Sequence, residues 1–300
     1  MTIVGTVTRT AVSNIAEAQQ GNANAGAFVA RNGPTNLGFF PSVAAAKAAV
    51  NGRGGRPLRW ERSDLRGGIE HYVAHDSQPG PLEFLGDDLA LWTEVEDNAR
   101  VLNAATGRVD LLGDKSGNSY SFTQTDPDLQ GLLVASAINE RSAIRLLVDR
   151  GDQMTSEVPL EPPFSFIVVA NYIGGAAISN LMLSDGASPW RVGVDARGQW
   201  EYSNSLGTSI SGGTANATPA MLTVRQDTAW GELRINRASV GGNGNNPSAA
   251  TQVSLGLAGA TPVPAGAWTG LFATLLFMYT TNNNLVEEAE RWVRKRYNTP

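Results

Sequence analysis

The run Leu271-Phe-Ala-Thr-Leu-Leu-Phe-Met-Tyr279 leaves this chain few choices, because it is apolar almost without interruption and only of strand length. Such a run suits a β-strand covered on both faces. The polar turn Thr280–Asn284 ends it, and Asn284 with Glu287 three positions on reads as a helix N-cap with its capping-box partner. From Leu285 the apolar residues Val286, Ala289, Trp292, Val293 and Tyr297 recur at helical spacing. Glu287, Glu288 and Glu290 fall early, while Arg291, Arg294, Lys295 and Arg296 fall late, which complements the helix dipole. The pattern predicts a helix that docks through Trp292 and Val293, and it requires a sheet to dock on.

That sheet is foreshadowed upstream. Runs of strand character recur with turn signals between them: 109–112, 120–124, 143–148, 164–172, 178–183, 190–194, 199–202, 221–225, 232–235 and 252–255. Regular spacing of this kind points to a sandwich and not to alternating βαβ units, and no strict repeat suggests a propeller or solenoid. Gly212-Gly213 and Gly241–Pro247 read as long loops at the sandwich ends.

The first 80 residues read differently. Thr2–Val12 is rich in β-branched residues and poor in charge, so it reads either as an edge strand or arm that pairs with a neighbouring subunit, or as an ordinary first strand. Gly21–Gly26 reads as a flexible link. A small α+β unit follows, with strands at Ala27–Arg31, Pro57–Trp60 and Ile69–Ala74 and an alanine-rich helix at Pro41–Val50. It holds too few large apolar residues to be very stable alone. Arg53, Arg56, Arg59, Arg62 and Arg66 form a basic run that reads either as a solvated face or as a docking patch for an acidic partner. Asp76–Pro81 reads as a linker, which gives an N-terminal arm and small domain over 1–80 and a sandwich over 87–300.

Composition narrows the function. The chain has no cysteine, which excludes disulfide staples, thiolate metal sites and cysteine nucleophiles. Residues 1–86 carry eight Lys and Arg against six Asp and Glu, and residues 87–300 fifteen against twenty-two, so +2 and −7 make up the net charge of −5. An acidic body argues against nucleic-acid binding. The start of the sequence lacks the basic and long apolar parts of a secretory signal, and its longest apolar run is far below the roughly 20 residues of a membrane-spanning helix. The expectation is a protein with no membrane partner that reaches the outside, if it does, by lysis of the cell that made it.

Several stretches together resemble a known family. Leu89-Ala-Leu-Trp92 as an opening strand, Asp114-Lys-Ser-Gly-Asn118 as a first sheet-crossing turn, Phe164–Ala170 as a central strand, and Leu222–Arg225 with Glu232–Asn236 as a later hairpin are similar to concanavalin A-like (LamG-like, lectin/glucanase) domains. So is the close, Trp292-Val-Arg-Lys-Arg-Tyr297. Arg237 departs from the pattern, since it stands where the family usually has glycine. The resemblance covers about residues 87–298. It implies a mainly β fold, a concanavalin A-like jelly-roll sandwich closed by an amphipathic helix and preceded by the small α+β domain.

The same resemblance implies a job. Such domains occur in virion proteins of tailed bacteriophages, in which a short N-terminal part attaches and the lectin-like domain faces outward. The expectation is a non-enzymatic virion surface protein made in the host cytoplasm, either a receptor- or glycan-binding fibre or spike or a capsid decoration protein. Its partners would be other capsid or tail proteins and a host surface glycan. Oligomerisation, with a trimer favoured, would multiply weak single contacts.

The alternative is a glycoside hydrolase on the same fold. Enzymes of the family usually place three carboxylates as Glu-x-Asp-x-x-Glu along one strand. The nearest match is Glu94-Val-Glu96-Asp97, but Ala99 occupies the place of the third carboxylate. His71 and His75 are the only histidines, and no Gly-x-Ser-x-Gly elbow accompanies them; two ligands without a third make a poor metal site. No phosphate-cradling Gly-x-x-x-x-Gly-Lys-Ser/Thr loop is present. Asp185, Asp195, Asn204 and Asn236 are calcium candidates by the resemblance, and as loop residues they read first as turn formers. Trp190, Trp200 and Trp230 are candidates for stacking on sugars, although the default place for Trp in a sandwich is the core or its rim. No catalytic, cofactor or metal residue is assigned, and the one partner-binding assignment is Arg53, Arg56, Arg59 and Arg62.

Overall fold

The structure, a computed structural model, describes residues 3–9, 28–32, 35–40, 45–48, 58–62, 71–76 and 80–299, apart from 104, 176–177, 186–188, 205–207, 245–248 and 257–267. The chain divides into two compact units, Met1–Gly80 and Pro81–Pro300.

The first unit holds β1 (Ile3–Arg9), β2 (Phe28–Asn32), β3 (Thr35–Phe40), β4 (Leu58–Arg62) and β5 (His71–Asp76), with a helical turn at 45–48. The strands form one antiparallel sheet in the order β3-β2-β1-β5-β4. Strand β1 is therefore central, with Val7 opposite Ala30 on one side and Tyr72 on the other. Both of its edges are used, so the arm reading fails and the ordinary first strand holds. Strand β3 was not anticipated, because Asn32-Gly-Pro-Thr-Asn36 carries turn signals up to and past its start. Gly21–Gly26, Arg53, Arg56 and Arg66 lie outside the described residues, while Arg59 and Arg62 sit on β4 opposite His75 and Tyr72.

The second unit contains β6 (Leu89–Glu94), β7 (Ala99–Asn103), β8 (Arg108–Leu112), β9 (Phe122–Thr123), β10 (Leu132–Ile138), β11 (Arg141–Leu146) and β12 (Gln153–Ser156). After these come β13 (Phe164–Gly175), β14 (Ser179–Ser184), β15 (Trp190–Val194), β16 (Gln199–Asn204), β17 (Ser209–Thr214), β18 (Ala220–Gln226), β19 (Gly231–Ile235), β20 (Ala238–Asn243), β21 (Val253–Gly256) and β22 (Trp268–Met278). They build a β-sandwich with two layers. One layer runs from β6 and β11 through β22, β13, β18 and β19 to β20; the other runs β9-β12-β21-β14-β15-β16-β17.

Strands β13 and β22 lie at the middle of the first layer and are apolar on both faces, as the unbroken run in β22 requires. Phe166, Val168, Phe272 and Phe277 face the space between the layers, while Ile167, Val169, Ala273 and Leu276 face the C-terminal helix, Asn283–Tyr297. That helix docks through Val286, Ala289, Val293 and Tyr297, all fully buried. Trp292 is only half-buried, edge-on to Trp92 with ring centroids 5.4 Å apart, so Tyr297 replaces it as the aromatic anchor. The N-cap is Asn282 and not Asn284, for the Asn284 backbone N–H donates to Asn282 Oδ1 at 3.0 Å. Glu287 instead accepts from the Asn283 side chain at 2.7 Å. Three consecutive asparagines can each cap, and the docked register decides between them.

The double glycines also differ from expectation. Gly212 and Gly213 lie inside β17, and Gly241 and Gly242 inside β20. A Cβ on Gly212 would stand 2.3 Å from Val240 Cγ1, and one on Gly241 3.2 Å from Ile210 Cγ2. The edges of the two layers approach there more closely than side chains allow, which is a reason for glycine unrelated to turns.

Arg237 explains its departure from the family pattern. With Asn236 it forms the two-residue turn between β19 and β20, at φ +51° and +74°, where an arginine is strained and a glycine is not. Its Nε lies 3.6 Å from Oε2 of Glu290, a fully buried helix carboxylate that also has Arg234 at 3.5 Å. Burial raises the Glu290 pKa, and Thr223, Arg234 and Arg237 pull it back in part. The chain thus tolerates backbone strain to hold a second guanidinium against a buried acid. Arg237→Gly is expected to destabilise the protein as it stands but to stabilise a Glu290→Gln background, by about 1 kcal/mol in each direction. Chemical denaturation of the four proteins checks this, and the same sign in both backgrounds would refute it.

Candidate functional site

The Glu94–Asp97 carboxylates were the nearest approach to a glycosidase set, and the structure gives each of them other partners. Glu94 is 1% exposed and receives Lys115 Nζ at 2.6 Å, Arg296 Nε at 2.7 Å and the Tyr297 hydroxyl at 3.2 Å. Asp97 receives Lys115 at 2.8 Å and Arg296 at 3.1 Å, and Glu96 accepts the Ser142 backbone N–H at 2.5 Å. Burial alone would raise the Asp97 carboxyl, yet the Lys115 ammonium with Arg296 behind it holds the group below its usual value. Lys115 also lies 4.3 Å from the Trp92 ring centroid. The cluster ties the end of the C-terminal helix to β6, with Lys115 and Arg296 shared between Glu94 and Asp97.

Asp114–Asn118 is likewise structural. The Asp114 carboxylate accepts backbone N–H groups of Trp92, Ser116 and Tyr120 at 3.1, 2.8 and 3.1 Å, and Asn118 Nδ2 donates to the carbonyls of Leu89 and Ala90 at 2.9 Å each. The turn is stapled to β6.

The calcium candidates are dispersed over separate turns. Asp185 accepts from Thr251 and Gln252, Asp195 closes its own hairpin by accepting from Arg197 and Gln199, and Asn236 accepts from Met221 N–H at 2.9 Å. Asn204 ends β16. Among the described residues no three His, Asp or Glu gather where a metal could be held. His71 and His75 are both on β5. Trp190 and Trp200 are in the core, and Trp230 is half-buried beneath the Arg225 guanidinium, 5.2 Å from its ring centroid.

Strand register builds the outer face of the second layer. Met154, Leu255, Met182, Val192, Tyr202 and Ile210 lie side by side across six strands, all buried in the core. One residue along, on the opposite face, the row reads Thr155, Ser254, Leu183, Arg191, Ser203 and Ser209. Beside it runs Asn180, Gly193, Glu201 and Ser211. Gly193 has to be glycine, because a Cβ there would stand 1.7 Å from the Ser179 carbonyl oxygen. Ser209 is exposed, while Ser203 and Ser254 are 8% and 6% exposed, so the row is recessed at its centre.

The charges on this face are matched internally. Arg191 is ion-paired through Nη2 with Glu201 and donates through Nη1 to Asn180 Oδ1 at 3.2 Å. Arg197 donates to Asp195 at 2.8 Å and to Ser211 Oγ at 2.6 Å. Burial would raise the Asp195 carboxyl, but the Gln199 N–H and the Arg197 guanidinium hold it low. Chemically the face offers hydroxyls, an amide and fixed ion pairs, all suited to hydrogen-bonding a polar ligand without net charge transfer.

Of these residues only Asp195 was singled out from sequence, and as a calcium candidate. A signal did exist, since Trp190-Arg-Val-Gly-Val194 and Gln199-Trp-Glu-Tyr-Ser-Asn204 alternate large apolar with polar or small residues.

A titrating group lies at the far end of the same layer. The Asp152 carboxylate is fully enclosed and accepts the Leu147 N–H at 3.0 Å. Arg150 Nη2 is 3.2 Å from the other oxygen but donates to the Gln130 carbonyl. Burial pushes Asp152 up to about 6, against the pull of Arg150 and the Leu147 N–H. The folded pKa is above the unfolded one, so this group's contribution to stability falls as pH rises from about 4 to 6 and is a net cost of about 3 kcal/mol at pH 7. Asp152→Asn is expected to unfold at higher temperature than the parent at pH 7 and to lose that advantage by pH 4. A pH-independent difference in melting temperature would show that Asp152 does not titrate in this window.

No family model and no curated protein matches the chain. Among solved structures it is similar to the binding domain of Paraclostridial mosquitocidal protein 1, with TM-score 0.50 and 13% identity over 69% of this chain and 52% of that one. It is also similar to the receptor-binding domain of botulinum neurotoxin type G, with TM-score 0.47 and 13% identity over 68% and 51%. Trypanosoma rangeli sialidase matches with TM-score 0.44 and 8% identity over 78% and 42%. The chain spans about half the length of these structures or less. At such identities the common property is the fold, a β-sandwich.

Proposed function

We propose that the chain is a non-enzymatic surface protein whose sandwich presents its hydroxyl-rich sheet face to a glycan. One observation carries this reading: the C-terminal helix covers the outer face of one layer with apolar residues, while the outer face of the other carries a row of hydroxyls and a charge pair, Arg191 with Glu201, that is matched within the face. The engagement of Glu94, Glu96 and Asp97 by cations and backbone favours binding over hydrolysis. Residues 1–80, with Arg53, Arg56, Arg59 and Arg62, are the attachment part in this proposal, and a tailed-phage virion or related particle is the setting. Multivalent display supports a homo-oligomer, a trimer by preference, because weak single contacts are multiplied by about 10² to 10⁴. Pairing through β1 no longer supports it, since that strand lies inside its own sheet.

The test is binding of the full chain to an immobilised glycan panel, with reducing-sugar release from the same glycans measured in parallel. Retention without release supports the reading, release establishes the glycoside hydrolase alternative, and neither result overturns both. Incorporation of a chain of residues 81–300 into particles at full occupancy would move attachment to the sandwich, and light scattering reads the oligomer.

A further inference from the structure

We infer that the chain pairs with a second copy of itself along the seam between β17 and β20, so that each sandwich layer continues across a two-fold axis into its partner's. The seam is where the two layers end. On the opposite side they are joined by strand pairing, from β11 through β10, β8 and β9 to β12. The free side of β6 is covered by the 114–118 turn, whose Lys115 N–H donates to the Trp92 carbonyl and whose Asn118 side chain donates to those of Leu89 and Ala90. Nothing equivalent covers the seam among the described residues. There β17 pairs only with β16 and β20 only with β19, and their outward backbone groups have no further partner. Ser209, Gly213, Thr214, Ala238, Ser239 and Gly242 are exposed. An edge strand that stays in solvent is usually blunted by charge or proline, as β4 is by Arg59, Glu61 and Arg62. Ser209–Thr214 and Ala238–Asn243 carry neither.

The partner is a second copy because both strands complement themselves. Antiparallel pairing of β20 with its own mate, centred between Val240 and Gly241, sets Ser239 opposite the partner's Gly242 and Val240 opposite the partner's Gly241, with no charges brought together. Strand β17, centred between Ser211 and Gly212, likewise sets Ile210 and Ser211 each opposite a glycine. One axis serves both strands. Gly212 lies against Val240 and Gly241 against Ile210, so the two midpoints stand at the same height on the seam. Two six-residue strands a side supply about half of the ~20–30 residues of a standard interface, which makes a concentration-dependent dimer the expected state and not an obligate one. A two-fold pair meets the multivalency argument above with a dimer in place of a trimer.

The experiment is sedimentation of the full chain over a concentration series, where a monomer–dimer equilibrium with a midpoint between about 1 and 100 μM is expected. Ser239→Glu, opposite Arg234 in its own sheet, suits the single chain but brings two carboxylates into the pair, and it is expected to weaken association at least about tenfold. The chain has no cysteine, so the register is read by mixing Ser239→Cys and Gly242→Cys proteins under mild oxidation. Disulfide dimers are expected between the two variants, whose positions are opposite each other, and much less within either alone, whose positions stand about 10 Å apart along the strands. A chain that stays monomeric throughout, a trimer, or an association that a folded Ser239→Glu protein keeps overturns the inference. So does cross-linking within each variant at the rate seen between them. Amide exchange of the unaltered protein, which should slow in β17 and β20 as the dimer forms, decides the matter if the variants do not fold.

Discussion

Glu94→Ala is expected to cost about 3 kcal/mol of stability, at the low end of the 3–5 kcal/mol range for breaking a buried ion pair, because Asp97 stays behind to share the orphaned cations. The parent carboxylate is 1% exposed and receives an ammonium, a guanidinium and a phenol hydroxyl, while the side chains of Lys115 and Arg296 are only 18% and 20% exposed. Removing it leaves two positive charges with little solvent and half their compensation. The helix should suffer first. Its last turn is held by this cluster and by Asn139 and Arg141, which donate to the carbonyls of Tyr297 and Arg296 at 2.5 and 2.6 Å. Urea denaturation gives the magnitude, and amide exchange along Asn283–Tyr297 gives the location. Undiminished protection of the helix in the variant would show that apolar docking alone holds it.

Trp190→Ala is expected to cost about 3–5 kcal/mol, the range for deleting a large core aromatic. The ring is fully buried and packs against Phe166, Phe164 and Phe277 at centroid distances of 5.1, 5.8 and 6.2 Å, between the two layers. Trp230→Ala should cost only about 1 kcal/mol, the worth of a partly exposed ring under a guanidinium. The comparison matters for function. If Trp190 stacked on sugar, its loss would abolish binding and spare the melting temperature, whereas a core role lowers the melting temperature. Melting curves of both variants, with glycan retention measured on the folded fraction, separate the two.

Several elements were legible from residues alone, for a physical reason common to them. The double-sided strands β13 and β22 and the C-terminal helix announce themselves because burial on two faces, or on one face at a period of 3.6, leaves a mark in every residue of the segment. Strand β9 falls within the expected run 120–124, whereas β12, four residues of mixed polarity at Gln153–Ser156, leaves too little pattern and was not anticipated. Turn chemistry misled where a residue type has two uses. Glycine pairs in β17 and β20 and the asparagines at 282–284 satisfy local rules equally well in several positions, and only contacts with distant strands choose among these.

The candidate site was written in the alternation of β15 and β16, yet alternation says only that two faces differ. It does not say whether the polar face is covered. That was decided by Asn283–Tyr297, more than 75 residues later, docking on the other layer through Val286, Ala289, Val293 and Tyr297. The sequence by itself determined a two-layer β fold closed by a helix, since hydrophobic period is a local property. Which layer the helix covers, which carboxylates are engaged by cations and which arginine is held by Glu201 were decided only by tertiary structure, because each depends on residues brought together from different strands.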